Sequence, residues 1–195
     1  MNSIVIDLTS NKHFIALNYA QKRYFFDFEE ESLKKRNDWE HKISTITENI
    51  PRFDFKQIEK MAYAAGPGSY TGARLAFTFL DTLGLILNKK FYAFSNLTAL
   101  QHNFPDRTAI IKSTKNDYFY RYKERDHYCE SFDQIPKDQE YIVLENDQLQ
   151  LENAVELKFE DISKNILDLI LTSESKALSS NFPNYIKELK YVKSR

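Results

Sequence analysis

The sequence is poor in the residues that mark several protein classes. One cysteine, Cys129, among 195 residues excludes an internal disulfide and a cysteine-based zinc site, and it fits a reducing, cytoplasmic compartment. The net charge is only −1, so bulk charge does not hold this chain on nucleic acid. The longest apolar stretch, residues 75–87, is too short for a bilayer and contains Asp81, so no membrane association is expected. The opening Ile4-Val5-Ile6-Asp7 meets a carboxylate with no basic segment before it, so a signal peptide is not expected. What remains, 42% hydrophobic and 28% charged, is the composition of an ordinary globular protein, as one compact unit or two small lobes.

Glycine is the informative scarcity. The four glycines, Gly66, Gly68, Gly72 and Gly84, all fall within one short stretch, and the rest of the chain avoids glycine even at turns. The segment 66–72 must therefore need a positive φ, or the close approach of another backbone or a ligand.

Residues 3–8, 13–19 and 22–28 are short apolar or alternating runs separated by turn residues, which predicts three antiparallel strands. Residues 29–38 are charged and read as a loop. Trp39, Ile43, Ile46 and Ile50 recur at helical spacing until Pro51 stops them. Residues 61–65 form a buried strand, 72–87 a helix, 91–94 a strand, and Ser95 caps a further helix. This β-β-β-α-β-α-β order is the layout of the actin-like ATPase (ribonuclease H-like) fold. Pro105-Asp106-Arg107 marks a boundary between a lobe at 1–104 and a smaller lobe with a basic tail at 105–195. In the second part, 108–111, 118–123 and 141–144 read as strands, and Ile162, Ile166, Leu169 and Ile170 as one helix. No internal sequence repeat is visible.

Gly66-Pro67-Gly68-Ser69-Tyr70-Thr71-Gly72 joins a buried strand to a helix. It lacks the Lys-Ser/Thr of a P-loop, and its spacing is one residue too long for G-x-G-x-x-G. A tight structural turn, a phosphate contact at the helix start and a partner contact all remain open. The helix itself is apolar on two sides. Ala73, Ala76, Phe77, Leu80, Leu83, Gly84 and Leu87 share one face, and Leu75, Phe79, Thr82 and Ile86 a second. One face packs on a sheet, and the other must meet a neighbouring helix or another subunit. Asp substitution of Phe77 or Phe79, whichever faces outward, is expected to break association.

The segment 66–74, ending in Ala73-Arg74, resembles the Gly-Pro-Gly-Ser-Phe-Thr-Gly-x-Arg motif of the TsaB (YeaZ) family, the non-catalytic partner in bacterial synthesis of N6-threonylcarbamoyladenosine in tRNA. Ile4-Val5-Ile6-Asp7-Leu8-Thr9-Ser10 resembles that family's opening Ile-Asp-Thr-Ser strand and turn. Glu40-His41, Ser95-Asn96-Leu97-Thr98-Ala99-Leu100 and Pro183-Asn184-Tyr185-Ile186 resemble further family segments in the same order. The resemblance implies an actin-like fold with a reduced second lobe. It also implies a scaffold that docks on a TsaD-type transferase through the helices at 39–50 and 72–87. Trp39, His41, Ile43, Ile46, Arg74, Phe77, Phe79, Leu80, Leu83 and Gly84 would be the docking residues. A TsaE-type ATPase would join, ATP and a metal ion would sit in the partner subunits, tRNA would be met indirectly, and the isolated chain could pair with itself. The family's Asp-Ala-Arg in the second lobe is replaced here by Lys112-Ser113-Thr114-Lys115.

An enzyme of the same fold is the alternative: an actin-like kinase or phosphatase binding nucleotide at Asp7, Thr9 and Ser10. Leu8-Thr9-Ser10 lacks the glycine that lets a phosphate approach the backbone there. His13, His41, His102 and His127 include no i,i+4 pair of the transferase type. Ser69 lacks a Gly-x-Ser-x-Gly elbow, and Cys129 reads as a structural thiol. Tyr118-Phe119-Tyr120-Arg121-Tyr122-Lys123, which alternates aromatics with charges, reads as a half-buried strand or an RNA contact. The tail residues Lys187, Lys190, Lys193 and Arg195 are a second place for phosphate.

Overall fold

In the computed structural model, residues 1–29, 38–113, 117–137, 139–145, 147, 149 and 151–187 are described. Residues 30–37 of the charged segment and the tail residues Lys190, Lys193 and Arg195 lie outside them.

The chain builds two five-stranded sheets. The first contains β1 (Ser3–Asp7), β2 (Lys12–Tyr19), β3 (Lys22–Glu29), β4 (Lys60–Ala64) and β5 (Phe91–Phe94), in the order β3-β2-β1-β4-β5. β1, β2 and β3 pair antiparallel, while β1–β4 and β4–β5 are parallel. Helix α1 (Trp39–Asn49) crosses from β3 to β4, α2 (Tyr70–Leu87) from β4 to β5, and α3 (Asn96–Gln101) follows β5.

The second sheet contains β6 (Thr108–Lys112), β7 (Tyr118–Tyr122), β8 (Arg125–Cys129), β9 (Tyr141–Leu144) and β10 (Ala154–Leu157). Its order, β8-β7-β6-β9-β10, and its pairing repeat those of the first sheet. The repeat that the sequence does not show is thus present in the topology. The second lobe is reduced in helices, not in strands. Among the described residues, the link from β8 to β9 holds only a 3-10 turn, Phe132–Gln134, and the link from β9 to β10 no helix. β9 and β10 are parallel neighbours, and the link 145–153 is shorter than the roughly dozen residues that a helical crossover takes.

Strand alternation sorts the side chains into layers. Ile4 and Ile6 of β1 and Met61 and Tyr63 of β4 face one way, where they pack with Ile46 of α1 and with Ala76 and Leu80 of α2. Val5, Ala62 and Ala64 face the other way, onto α3 and onto α4 (Phe159–Thr172). Ala109, Ile111, Ile142 and Leu144 of the second sheet close on those same helices from the far side, so α3 and α4 are shared by both sheets. The outer face of the second sheet has a smaller core around Ile110, Ile135 and Val143.

Both two-residue hairpins turn without glycine. Ala20-Gln21, with φ of 49° and 63°, joins β2 to β3, and Lys123-Glu124, with φ of 47° and 61°, joins β7 to β8. This left-handed geometry suits Asn-Gly and costs an ordinary side chain about 1 kcal/mol per residue. Replacing Ala20-Gln21 by Asn-Gly is expected to stabilise the protein by about 1–2 kcal/mol, read as a rise in the midpoint of urea unfolding with an unchanged slope.

Candidate functional site

The site that the glycine pattern points to lies where the first sheet meets the start of α2. β4 delivers the chain to Ala65, and a cis Gly66–Pro67 bond and two positive-φ glycines turn it. Ser69 then caps α2, its hydroxyl accepting from the Gly72 N–H at 3.2 Å while its own N–H donates to the Thr9 carbonyl at 2.8 Å.

The glycines are explained by backbone contact. A Cβ on Gly72 would lie 1.6 Å from the Leu8 carbonyl oxygen, and one on Gly68 would lie 2.7 Å from that of Thr9. The first turn of α2 therefore rests directly on the end of β1. Gly84, in the last turn of the helix, is covered by the Lys89 carbonyl, where the chain doubles back through a left-handed Asn88.

Asn96, the first residue of α3, ties the loop together. Its side-chain NH2 donates to Thr9 Oγ1 at 2.8 Å and to the Pro67 carbonyl at 3.0 Å, and its Oδ1 accepts from the Gly66 N–H at 3.2 Å. Thr9 passes the network on to Asp7, whose Oδ1 accepts from the Thr9 hydroxyl at 2.6 Å and from its N–H at 2.9 Å. Asp7 is wholly buried, and burial outweighs the Thr9 bonds, raising its pKa to about 6. It caps its own turn beneath Thr9. Ser10, at the rim, bonds to the Lys12 carbonyl.

A C-terminal strap, residues 177–187, lies across the same region. Its backbone bonds to the Ala93 and Ala65 carbonyls through Leu178 and Asn184, and Tyr63 donates to the Asn181 carbonyl at 2.6 Å. The Arg74 Nε donates to Tyr185 Oη at 2.8 Å, and the rings of Tyr70 and Tyr185 stack at 5.5 Å. Asp126 of β8 joins the parts by accepting from Ser95, Arg121 and Asn184. Lys187 pairs with Asp117 at the start of β7. Burial raises the Asp117 pKa, but bonds from Lys187, Ser113 and Tyr128 outweigh it and hold that carboxyl well below the usual range.

The residues expected to dock fall into two groups. Ile46, Leu80 and Gly84 are buried in the chain's own core. Trp39 and Phe79 are half-buried and stack on each other at 3.8 Å, joining α1 to α2. Phe77 packs on Tyr63, Phe91 and Phe182. Neither Phe77 nor Phe79 is therefore the outward residue, and Asp at either would disturb folding first. Ile43 and Leu83 are half-buried, while His41 and Arg74 are exposed. The outward row of α2 is Arg74, Thr78, Asp81, Thr82, Leu85 and Ile86. Its two threonine hydroxyls bond back to carbonyls of their own helix. Leu85 and Ile86, at 79% and 74% exposure, end the row. Thr71 and Tyr70 are exposed at its start.

No three His, Cys, Asp or Glu side chains converge as a metal-ligand group among the described residues, and no described helix is long and apolar enough to cross a membrane. The four histidines lie on β2, on α1, just after α3 and on β8. Sequence reasoning assigned no role to Asn96, Asp126 or Tyr185. Asn96 and Tyr185 stood in quoted motif segments, but Asp126 carried no local signal.

The model of the family described as TsaD, tRNA N6-adenosine threonylcarbamoyltransferase, matches residues 44–179. The chain belongs to this family. Among solved structures, an uncharacterized protein from Pseudomonas aeruginosa with similarity to peptidase YeaZ is 12% identical, with a TM-score of 0.67 over 95% of this chain and 99% of that one. YeaZ from Pseudomonas aeruginosa is 14% identical, with a TM-score of 0.65 over 94% and 99%. These likenesses carry the fold: two lobes of the actin-like type. No curated protein matches the sequence significantly.

Two outcomes follow from this geometry. Gly72→Ala should unfold the protein or cost several kcal/mol, because the Leu8 backbone cannot yield to a Cβ; a wild-type thermal midpoint would contradict it. For Asp7, the folded-state pKa lies above the unfolded value, so ionisation works against folding. Stability should fall as pH rises from about 4 to about 6, by up to about 3 kcal/mol. Asp7→Asn keeps an oxygen for Thr9, and urea titrations across that range should show a flatter profile.

Proposed function

We propose that this chain is a non-catalytic scaffold subunit in the synthesis of N6-threonylcarbamoyladenosine beside the tRNA anticodon, docking on and activating a TsaD-type transferase. The observation that carries this reading is the bare outward row of α2. A surface helix of a monomer turns a polar face to water, whereas this one ends in two adjacent, almost fully exposed aliphatic residues, Leu85 and Ile86. Each forgoes about 1.5–3 kcal/mol of burial unless something covers it. Membership of the transferase family and the YeaZ-like fold supply the partner class.

The docking surface in this reading is α2 with the exposed part of α1, and its outward residues are His41, Arg74, Leu85 and Ile86. Trp39 and Phe79 act from beneath by holding the two helices together, and Phe77 by seating α2 on Tyr63 and Phe91 of the sheet. The partner holds the metal and the nucleotide, a TsaE-type ATPase joins the assembly, and the isolated chain pairs with itself through the same face. Glycine-loop residues Gly66, Gly68 and Gly72 set the angle of α2 against the sheet and so aim this face.

Leu85→Asp combined with Ile86→Asp is expected to abolish association with the co-expressed transferase subunit, read as mass by light scattering. The isolated chain should keep its stability within about 0.5 kcal/mol, as for other exposed substitutions. Phe79→Asp should instead lower the melting temperature of the chain alone. A double variant that still forms the wild-type complex would sink the α2 docking face.

A further inference from the structure

Among the described residues, the outer face of the second sheet lacks the helical cover that its counterpart has. On the first sheet, the face turned away from α3 and α4 is roofed by α1 and α2. On the second sheet, the corresponding links contain the 3-10 turn Phe132–Gln134 and no helix among their described residues. That turn roofs one end, where Phe132 meets the Tyr118 ring at 5.6 Å and the Tyr141 ring at 6.2 Å. Leu149 and Leu151 of the β9–β10 link pack on the same small core as Tyr120, which is half-buried, as is Tyr122.

The other end is aromatic and cationic. Residues two apart on a strand share a face, so β7 lines up Tyr118, Tyr120 and Tyr122. The register sets His127 of β8 opposite Tyr120, and Arg125 opposite Tyr122. Tyr120 and His127 stack with ring centroids 4.9 Å apart and planes 19° apart. Lys123 Nζ lies 5.2 Å from the Tyr122 ring centre. Lys123 and Arg125 are exposed, neither pairs with a described carboxylate, and with Glu124 they leave this hairpin end net positive. The acidic Glu130 and Asp133 lie at the roofed end.

We propose that this open end of the second sheet is a contact surface for single-stranded RNA, with bases on Tyr120 and Tyr122 and phosphates on Lys123 and Arg125. Aromatic faces at strand spacing stack on any base, and flanking cations take the backbone. The choice of RNA rests on the tRNA-modification reading above and on the charge at this end. The contact lies on the lobe away from α2, so the chain would bind its transferase and its RNA through different faces.

The test is fluorescence anisotropy of a fluorescein-labelled single-stranded RNA oligomer, with labelled duplex RNA as control, titrated with the full-length chain at several salt concentrations. Single strand should bind in preference to duplex. Tyr122→Ala should weaken binding about tenfold and Tyr122→Phe should retain it. Lys123→Gln and Arg125→Gln should each lower the slope of log affinity against log salt by about one. No binding, equal binding of duplex, or a Tyr122→Ala affinity equal to wild type would overturn the proposal. So would a Tyr122→Ala variant that loses the transferase complex but keeps its RNA affinity, because the face would then be a protein interface. Light scattering with the transferase on the same preparations keeps the two readings apart. A chain that binds RNA through these tyrosines yet forms no complex overturns the scaffold reading alone, whereas an intact complex with tyrosine-independent RNA binding overturns this inference alone.

Discussion

The direct contact between the start of α2 and the end of β1 governs the first lobe. No side chain intervenes at Gly72, so the helix backbone rests on the Leu8 carbonyl. That closeness brings the Ser69 N–H to the Thr9 carbonyl and leaves Thr9 Oγ1 within reach of Asn96. It also seals Asp7 beneath its own turn, where desolvation opposes the charge. Pushing the helix outward by the width of one methyl group would break all of these together.

The same contact accounts for the loop glycines within the chain. A glycine loop between a strand and a helix is a natural anion cradle, but here Gly68 and Gly72 are filled by backbone from β1. The strap 177–187 closes over the region from the side, and Asp126 joins strap, α3 and the second sheet at one carboxylate. The two lobes are therefore held by half-buried polar bonds as well as by the shared layer of α3 and α4. Such a rigid body is suited to presenting a helix face at a fixed angle.

Much of the fold could be read from residues alone, for a local reason. Alternation in β2 and β3, the apolar run of β4 and the periodicity of α1 and α2 are near-neighbour signals. β8 and β10 were not legible. Arg125-Asp126-His127-Tyr128-Cys129 is a polar edge strand, and Ala154-Val155-Glu156-Leu157 is too short to show a period. The two apolar faces of α2 were also legible, but not what covers them. Trp39 takes Phe79, and Phe182, more than a hundred residues away, takes Phe77.

By itself the sequence determined the strand and helix order of the first lobe, the place of the tight loop and the family that the motif 66–74 resembles. These depend on residues a few positions apart, where spacing and backbone preference act directly. Only the tertiary structure decided that the loop glycines meet backbone, that Leu85 and Ile86 are the uncovered apolar residues of α2, and that the second sheet repeats the first without its outer helices. Those outcomes depend on which distant segments reach each surface. Chain topology decides that, and no local pattern of residues encodes it.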